Sequence, residues 1–475
     1  MIATLGFGQI YWDIEVVDTI IAGAYLDCIF NDIALDSNNS PHIVYNRPGV
    51  STIVYSSRES SLWQKEVIDS GLHLCYGFSL IFDRNNLAHL SYYRQFDPVG
   101  KTYLCHAFRP SSGWQIEIVD SISGYLGNYF WYITSSIAFD SLGQPGISYI
   151  VWNVADSIHY VKYAHFNGSQ WDTSVVEYDS AYMNITRQPS DRSPSLKFNS
   201  RNTPLIAFHH KSPIDGYYDT LKIARYNDTL NNWLVEPILY LNGAGSPISL
   251  VLSSQDYPFI AHCIDIGLHF TWWDGSTWHS GYTGADLGWV DIALDLALDA
   301  QDDPHIAFHG DPLTPSPDYC YKDSFWNIYW AFDTVPQSTW NINLVLDDNE
   351  CPHICYEYGA GSNGLKYAKG TFVGVKEHNS GPQSADYGLR IFPNPYKRIA
   401  VIKFEIRNPH FAMSLKIYDA TGRVVKSFNH LTIQPFNQVT WFGDDDSGQE
   451  LSAGVYFCRL ETNEFTATKK IIKLE

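Results

Sequence analysis

The chain has 475 residues and a formal net charge of −20, from 31 lysines and arginines against 51 acidic residues. This length predicts more than one domain, and the acid excess repels phosphate backbones and anionic lipid surfaces, so we expect no nucleic-acid partner. Aromatic residues make up 15% of the chain and charged residues only 17%. Because aromatic side chains favour the pleated, half-buried surface of a sheet, the composition predicts an all-β protein.

The N-terminal segment, residues 1–9, is interpreted as a leader or residual signal segment. Residues 1–8 are small and apolar, like the tail of a signal-peptide core, but no basic segment precedes them. Two interpretations stay open, a remnant of an export signal and a few unstructured leader residues. The chain has no run of the roughly 18 apolar residues that a membrane helix needs, so we expect no transmembrane segment.

A hairpin pattern recurs along most of the chain. Its first copy, residues 33–45, places alternating apolar residues on both sides of a polar turn. In each copy a turn residue is followed five positions later by the residue that opens the second strand. The seven pairs are Asp36 and Pro41, Asp83 and Ala88, Asp140 and Pro145, Asn199 and Pro204, Ser253 and Pro258, Asp299 and Pro304, and Asp347 and Pro352. Since Asp, Asn and Ser side chains bond nearby backbone amides, the fixed spacing predicts one turn conformation in all copies.

Two more strands are predicted after each hairpin. The third strands are residues 53–56, 103–107, 160–164, 221–226, 268–271, 319–322 and 365–368. Six fourth strands begin at a tryptophan, namely Trp63, Trp114, Trp171, Trp233, Trp278 and Trp326. The seventh hairpin lacks a fourth strand, whereas residues 12–18 have the same Trp-x-x-Glu-x-x-Asp pattern and precede the first hairpin. We therefore expect residues 12–18 to pair beside residues 365–368, which closes a seven-bladed β-propeller over residues 10–370.

The repeats resemble those of a known class. Ile-Ala-Leu-Asp-x5-His-Ile-x-Tyr followed by Trp-x-x-Glu-x-x-Asp is similar to the repeat of bacterial extracellular β-propellers. The resemblance covers about residues 10–370. Many such propellers have no assigned activity, so the resemblance implies the fold and no particular ligand.

Residues 371–387 form a polar linker, and residues 388–475 a second β-domain. Its predicted strands are residues 389–392, 401–406, 414–418, 423–428, 438–441, 455–460 and 465–474, which is typical of an Ig-like β-sandwich. Four landmarks follow in order, Ile391-Phe-Pro-Asn-Pro395, Leu415-Lys-Ile-Tyr-Asp419, Trp441-x-Gly443-x-Asp445 and Gly454-Val-Tyr456. They resemble the type IX secretion C-terminal sorting domain, and the related Ig-like domain of flagellar hook-capping proteins. The resemblance implies the type IX secretion machinery as a partner of residues 388–475, and a secreted or outer-surface location.

No metal and no cofactor is predicted. The eight cysteines include no Cys-x-x-Cys pair, and we interpret them as small buried hydrophobes, with a Cys28–Cys75 disulfide as the alternative. Four histidines stand near the start of second strands, His42, His89, His305 and His353. Because they belong to different blades, they indicate repeat packing and not a shared ion. Residues 274–278 do not follow the order of the sialidase Asp-box, and the acidic turns lack the spaced ligands of a calcium loop.

Candidate binding residues lie where the copies differ. The tenth residue after the turn residue is Asn46, Tyr93, Ile150, His209, Cys263, His309 and Glu357 in successive copies. We expect this residue to open the connection after the second strand, and His209, His309 and Glu357 to line one mouth of the channel. The long connections on the same face carry aromatic residues, among them Tyr129, Trp131 and Trp152, which are suited to stacking on sugars or anchoring a protein. The alternatives are solvated loop starts and rings that fill gaps between blades.

Three functions stay open on the sequence. The first is a secreted or cell-surface propeller that binds glycans or proteins on its loop face. The second is a carbohydrate-active hydrolase or lyase with two carboxylates on that face, and the third is a structural adhesin module. The absence of a nucleophile–base pattern or a metal-ligand pattern, together with the export tail, favours a binding module over an enzyme.

Overall fold

The computed structural model describes residues 9–19, 30–47, 52–59, 62–72, 74–96, 101–122, 134–153, 158–179, 193–211, 218–242, 247–264, 267–286, 294–309, 317–322, 326–329, 333, 341–358, 364–373, 390–392, 400–404, 413–428, 437–462 and 466–474. All regular secondary structure in these residues is β-strand, which confirms the predicted all-β class. Within the same residues, no helix has the length and apolar character needed to span a membrane. The chain divides into two compact units, Ile10–Phe372 and the combination of Met1–Gln9 with Val373–Glu475. Most of the predicted leader and linker lies outside the described residues.

The first unit contains four-stranded antiparallel sheets, which we number along the chain. Sheet 1 consists of β2 (Asn31–Leu35), β3 (Pro41–Arg47), β4 (Thr52–Glu59) and β5 (Leu62–Ser70). Sheet 2 consists of β6 (Leu74–Phe82), β7 (Ala88–Gln95), β8 (Thr102–Phe108) and β9 (Gln115–Ile122). Sheet 3 consists of β10 (Ser136–Phe139), β11 (Pro145–Asn153), β12 (Ile158–Phe166) and β13 (Trp171–Asp179). Sheet 4 consists of β14 (Ser195–Phe198), β15 (Pro204–Lys211), β16 (Tyr218–Asn227) and β17 (Asn232–Asn242).

The remaining sheets of this unit follow the same order. Sheet 5 consists of β18 (Ser249–Leu252), β19 (Pro258–Ile264), β20 (Gly267–Trp273) and β21 (Trp278–Asp286). Sheet 6 consists of β22 (Leu294–Leu298), β23 (Pro304–His309), β24 (Pro317–Lys322) and β25 (Trp326–Tyr329). Sheet 7 consists of β26 (Ile342–Leu346), β27 (Pro352–Tyr358), β28 (Gly364–Val373) and the N-terminal β1 (Gln9–Thr19), which lies beside β28. The predicted pairing of residues 12–18 with the third strand of the last repeat is therefore confirmed.

The hairpin turns have the predicted local hydrogen bonds. In sheet 1 the Oδ1 atom of Asp36 accepts the backbone N–H groups of Asn38 (2.9 Å) and Ser40 (2.8 Å). Asn39 has a φ of 60°, in the left-handed region that asparagine tolerates better than most residues. The third residue after the turn residue has a positive φ in every copy, namely Asn39, Asn86, Gly143, Asn202, Asp256, Asp302 and Glu350. In sheet 6 this turn begins at Asp299, as the five-residue spacing predicts.

These turns are also bonded from sheet to sheet. The N–H of Ser37 in sheet 1 donates to Oδ1 of Asn86 in sheet 2 (2.7 Å). Equivalent bonds join Ser141 to Asn202, Ser200 to Asp256, Ser254 to Asp302, Ala300 to Glu350, and Asp348 to Asn39. Between sheets 2 and 3, where the acceptor position is Gly143, the guanidinium of Arg84 donates to the carbonyl of Ser141 instead (3.3 Å). The bond from Asp348 to Asn39 runs from sheet 7 to sheet 1.

Six tryptophans of the fourth strands pack edge-on against the third strand of the preceding sheet. The ring pairs are Trp114 with Tyr55 (5.1 Å between centroids), Trp171 with His106 (5.3 Å), Trp233 with Tyr163 (5.2 Å), Trp326 with Phe270 (5.5 Å), Trp12 with Tyr319 (5.4 Å) and Trp63 with Tyr367 (5.3 Å). Edge-to-face packing of this kind adds roughly 0.5–1.5 kcal/mol per pair to the gain from burial. Trp12 of β1, in sheet 7, thus makes the same contact with sheet 6 that the other five tryptophans make with the sheets that precede theirs.

The second unit has two antiparallel sheets around one core. The smaller sheet contains β29 (Arg390–Phe392), β30 (Ala400–Phe404) and β33 (Asn437–Trp441). The larger sheet contains β32 (Val424–Phe428), β31 (Met413–Asp419), β34 (Gly454–Thr462) and β35 (Thr466–Lys473), in that order. Trp441 is fully buried between them, packs against Tyr456 with 5.2 Å between ring centroids, and donates from Nε1 to the carbonyl of Asp444 (2.8 Å). All seven strands predicted for the tail are present.

Candidate functional site

A central cavity lies between the first strands of sheets 1–7. Its volume is about 420 Å³, and β2, β6, β10, β14, β18, β22 and β26 all contribute to its lining. We call it the channel. Its wall is partly polar, because one residue of each first strand facing it is Asp, Ser or Asn.

These seven polar residues form what we call the channel ring. They are Asp32, Ser79, Ser136, Ser195, Ser249, Asp295 and Asn343. Each stands four positions before the turn residue of its hairpin. The sequence analysis missed them, although the recurrence of a hydrogen-bonding residue at one offset in all seven copies was a signal that could have found them.

The channel ring bonds each sheet to the next one. Backbone N–H groups of the following sheet donate to ring side chains, in the pairs Leu80 to Asp32 (2.6 Å), Ile137 to Ser79 (3.2 Å), Leu196 to Ser136 (3.1 Å), Leu250 to Ser195 (3.0 Å), Leu296 to Ser249 (3.2 Å) and Leu344 to Asp295 (2.9 Å). Asn343 reverses the direction, since its Nδ2 donates to the carbonyl of Asn31 (2.7 Å) in sheet 1. The shared role of these residues is therefore structural.

Two ring members are carboxylates with altered proton affinity. Asp32 accepts the N–H groups of Ile33 (2.8 Å) and Leu80 (2.6 Å), yet its burial raises its pKa to about 8. The charge of Asp295 acts in the same direction, because like charges disfavour ionisation. Burial also raises the pKa of Asp295, which accepts the hydroxyl of Ser249 (2.8 Å) and the N–H of Leu296 (2.9 Å).

Lys197 is a departure from the repeat inside the channel. It stands two positions before the turn residue of its copy, where the other copies have Ala34, Ile81, Ala138, Val251, Ala297 and Val345. Lys197 belongs to the lining, and among the described residues its ammonium takes part in no hydrogen bond and no ion pair within 4 Å. Burial lowers the pKa of Lys197, while the negative charges of Asp295 and Asp32 oppose that shift.

A second set of polar contacts ties the sheets further out. The Asp that ends the Trp-x-x-Glu-x-x-Asp pattern accepts a tyrosine hydroxyl from the next sheet, as in Tyr45 to Asp18 (2.8 Å) and Tyr92 to Asp69 (2.8 Å). Arg94 donates to the same oxygen of Asp69 (3.0 Å). Tyr149 and Lys162 make the equivalent contacts with Asp120. Tyr356 and Lys366 contact Asp333, which stands seven residues after Trp326 and does not belong to the pattern. Asp18, Asp69 and Asp120 therefore stabilise the contacts between neighbouring sheets.

The predicted site residues are only partly described. His209, His309 and Glu357 lie in the second strands β15, β23 and β27, where they are 2%, 2% and 4% exposed. The second strand continues past His209 and Glu357, which pair there with the third strand, so these two do not open the connection, whereas β23 ends at His309. The burial of all three contradicts the alternative of solvated loop starts. Tyr129 and Trp131 lie outside the described residues. Trp152 stands on β11 opposite His159, with its side chain outside the described part.

His309 ends β23, and its ring is buried. Within the described part of the chain, neither of its buried ring nitrogens has a hydrogen-bond partner in another residue. Burial lowers its pKa to about 4, so the ring is neutral at pH 7. Whether His209, His309 and Glu357 contact a ligand stays a prediction.

The four histidines near the second-strand starts bond within their own sheets. His42 contacts the hydroxyl of Tyr55 (2.6 Å), and His353 that of Tyr367 (2.7 Å). His305 bonds Tyr319, and His89 bonds His106 (2.9 Å). Each also has the carboxylate of its own turn Asp within 4 Å. These contacts agree with the packing interpretation.

The described cysteines fit the interpretation as small hydrophobes. Cys75, Cys105, Cys263, Cys320, Cys355 and Cys458 are buried free thiols, and Cys351 is a half-buried one. Burial raises the pKa of Cys75 to about 12, which leaves it protonated and unreactive at neutral pH. Cys28, its suggested disulfide partner, lies outside the described residues.

Comparison with known families identifies the tail. Residues 390–474 match the family described as "Secretion system C-terminal sorting domain". The predicted resemblance of the tail is confirmed, and the domain marks the chain for export to the cell surface or the outside of the cell. No curated protein matches the chain.

Solved structures similar to this chain have low sequence identity. A protein of unknown function from Dyadobacter fermentans has a TM-score of 0.42 and 9% identity, over 76% of this chain and 99% of that one. An alpha-L-arabinanase from Penicillium chrysogenum has a TM-score of 0.41 and 8% identity, over 62% and 92%. The Aleuria aurantia lectin has a TM-score of 0.38 and 11% identity, over 64% and 97%.

Proposed function

We propose that the chain is an exported, closed seven-bladed β-propeller that acts as a binding module for glycans or proteins. Sheets 1–7 are its blades, and β1 completes the last blade. Three sets of contacts support closure, since the turn bonds, the channel ring and the tryptophan packing each include a pair between sheets 7 and 1. These pairs are Asp348 with Asn39, Asn343 with Asn31, and Trp63 with Tyr367.

The use of the channel carboxylates favours binding over catalysis. Asp32 and Asp295 hold backbone N–H groups of neighbouring sheets, at a position where other copies have serine or asparagine. Because serine accepts the equivalent N–H in other copies, this hydrogen bond does not need a carboxylate, and its role is structural. In this proposal the channel and its mouth form the recognition surface, and His209, His309 and Glu357 contribute to it.

A glycan array combined with a reducing-end assay tests the proposal. Full-length protein is applied to the array, and every glycan that it binds is then incubated with it at equimolar concentration. Binding without release of new reducing ends is expected. Two results contradict the proposal. The first is the release of new reducing ends, and the second is that the protein binds no glycan and captures no protein partner.

Export is tested separately by deleting residues 388–475. Labelled cells that produce the full chain are expected to carry it on the surface or release it, whereas the truncated chain stays inside the cell. Truncated protein at the cell surface contradicts a role of the tail in export.

One observation favours hydrolysis as the second candidate. A general acid needs a raised pKa, and burial raises that of Asp32 to about 8. If Asp32 is such an acid, Asp32→Asn abolishes turnover of a glycan that the protein cleaves, whereas Ser79→Ala at the equivalent position of sheet 2 does not. Equal activity of the two variants removes this candidate.

A further inference from the structure

Lys197 is not explained by the structural role of the channel ring. Its counterparts in the other copies are alanine, valine or isoleucine, so this position does not need a charge for packing. An ammonium has three donor hydrogens and no acceptor. In the described residues none of these hydrogens has a partner, although Lys197 lines the channel.

Further donors line the channel. The hydroxyls of Ser79, Ser136 and Ser195 each accept one backbone N–H from the next sheet. A serine hydroxyl also has one hydrogen to donate, and none of these three donates it within the described part of the chain. Sheets 2, 3 and 4 thus offer the channel three O–H donors in addition to the ammonium.

Acceptors lie on other sheets. Each oxygen of Asp32 accepts one N–H. Because its raised pKa keeps a proton on this carboxyl at neutral pH, one oxygen has an acceptor site left and the other can also donate. Asp295 accepts two bonds at Oδ1 and one at Oδ2, so one site of Oδ2 is left. Sheets 1 and 6 therefore provide acceptors to the same cavity.

A ligand that pairs with both the donors and the acceptors must accept hydrogen bonds from sheets 2–4 and donate hydrogen bonds to sheets 1 and 6. Hydroxyl groups do both, whereas a carboxylate only accepts and an ammonium only donates. At about 420 Å³ the channel lies in the size range of small-molecule sites.

We propose that the channel binds one neutral polyhydroxylated ring of monosaccharide size, with Lys197 and the three serines as donors and with Asp32 and Asp295 as acceptors. The inference rests on the proposed binding function and narrows it, because it places the terminal sugar of a glycan in the channel. Lys197 is the specificity-determining residue, since it stands where the other copies have an apolar side chain.

The experiment titrates full-length protein with glucose, galactose, mannose and xylose, and with glucuronate and glucosamine as charged probes. Isothermal titration calorimetry gives the affinities, and ¹³Cε-labelled lysine reports on the Lys197 side chain by NMR. Lys197→Met has the apolar character of the other copies, and Lys197→Gln serves if that variant does not fold. Arg225→Met, an exposed cation on the third strand of the same sheet, is the matched control.

We expect at least one neutral monosaccharide to bind, with a tenfold or greater loss for Lys197→Met and no change for Arg225→Met. A perturbed Lys197 resonance at saturation supports the same site. Stronger binding of glucuronate or glucosamine than of every neutral sugar overturns the ligand class. If the protein binds glycans on the array and the Lys197 variants bind them equally well, the channel site is refuted and the proposed function stands. If neither glycans nor monosaccharides bind, the channel site is refuted, and the proposed function fails with it only if the protein also captures no protein partner.

Discussion

The buried carboxyl of Asp32 makes stability depend on pH in a direction opposite to that of most acidic residues. Its pKa is raised from 3.8 to about 8, so the folded protein keeps a proton there that the unfolded chain releases above pH 4. The free energy of unfolding therefore falls as pH rises through this interval. At about 1.4 kcal/mol per pKa unit, the full effect is roughly 5–6 kcal/mol by pH 8.

Buried histidines act in the opposite direction and must be separated from this effect. Burial lowers the pKa of His89, His309 and His353 to about 4, and that of His262 further. The unfolded chain binds protons at these rings below about pH 6.5, so they make the free energy of unfolding rise with pH up to that value. The difference between the protein and Asp32→Asn, measured at each pH, removes their contribution.

Urea unfolding of the protein and of Asp32→Asn between pH 5 and 8.5 tests this reasoning. Tryptophan fluorescence follows the first unit, because all tryptophans except Trp441 precede residue 388. Asparagine keeps one acceptor oxygen, so the variant is less stable by about 1–3 kcal/mol at pH 5, where Asp32 is protonated. Between pH 5 and 8 the protein itself loses roughly 4 kcal/mol, so the variant is the more stable of the two at pH 8. Asp274→Asn is the control, since the exposed Asp274 has a lowered pKa and stays ionised throughout this interval. A difference between the protein and Asp32→Asn that is constant from pH 5 to 8 refutes the assignment.

Three further variants test other contacts. Tyr92→Phe removes the hydroxyl that donates to Asp69 and should lower the free energy of unfolding by about 2 kcal/mol in urea titrations. Tyr240→Phe, at a side chain that is 74% exposed, is the control and should leave this free energy unchanged. Equal free energies of unfolding for the two variants contradict a stabilising bond between the sheets. His309→Leu should raise thermal stability by about 1 kcal/mol, because it removes a buried ring whose nitrogens lack hydrogen-bond partners in other described residues; a loss above 1 kcal/mol contradicts this. Trp441→Ala should destabilise the second unit by about 3–5 kcal/mol and make residues 390–474 sensitive to limited proteolysis, while Phe442→Ala, at a 63% exposed neighbour, should leave them resistant; the opposite order refutes the assigned core.

The strands and turns of the first unit were predictable because their causes are local. The turn at Asp36 closes through bonds to residues two and four positions later, so the five-residue spacing contains the whole signal. The tryptophan that begins a fourth strand was equally visible, although its ring partner in the preceding sheet was not. The N-terminal strand was placed correctly because its Trp-x-x-Glu-x-x-Asp pattern matches strands in complete repeats.

The channel was not predictable in the same way, because its bonds join residues in different repeats. Asp32 bonds Leu80, 48 residues later, and nothing near Asp32 in the sequence indicates that partner. The extent of the second strands also escaped prediction. His209 continues β15 because Leu221 pairs opposite it, and the pairing of a third strand is not encoded by the second strand alone.

Shared and unshared positions of the repeat have different consequences for function. A polar group that recurs in all copies, as in the channel ring, has a bonding partner in the next sheet and stabilises the scaffold. Lys197 and His309 instead stand where other copies have apolar or different side chains, and both are buried or half-buried without hydrogen-bond partners in other described residues. Such groups reduce stability, and natural proteins tolerate them mainly at functional sites. If His309→Leu gains stability and Lys197→Met loses sugar binding, the two departures from the repeat mark the ligand-binding part of the propeller; if both variants gain stability and keep binding, they do not.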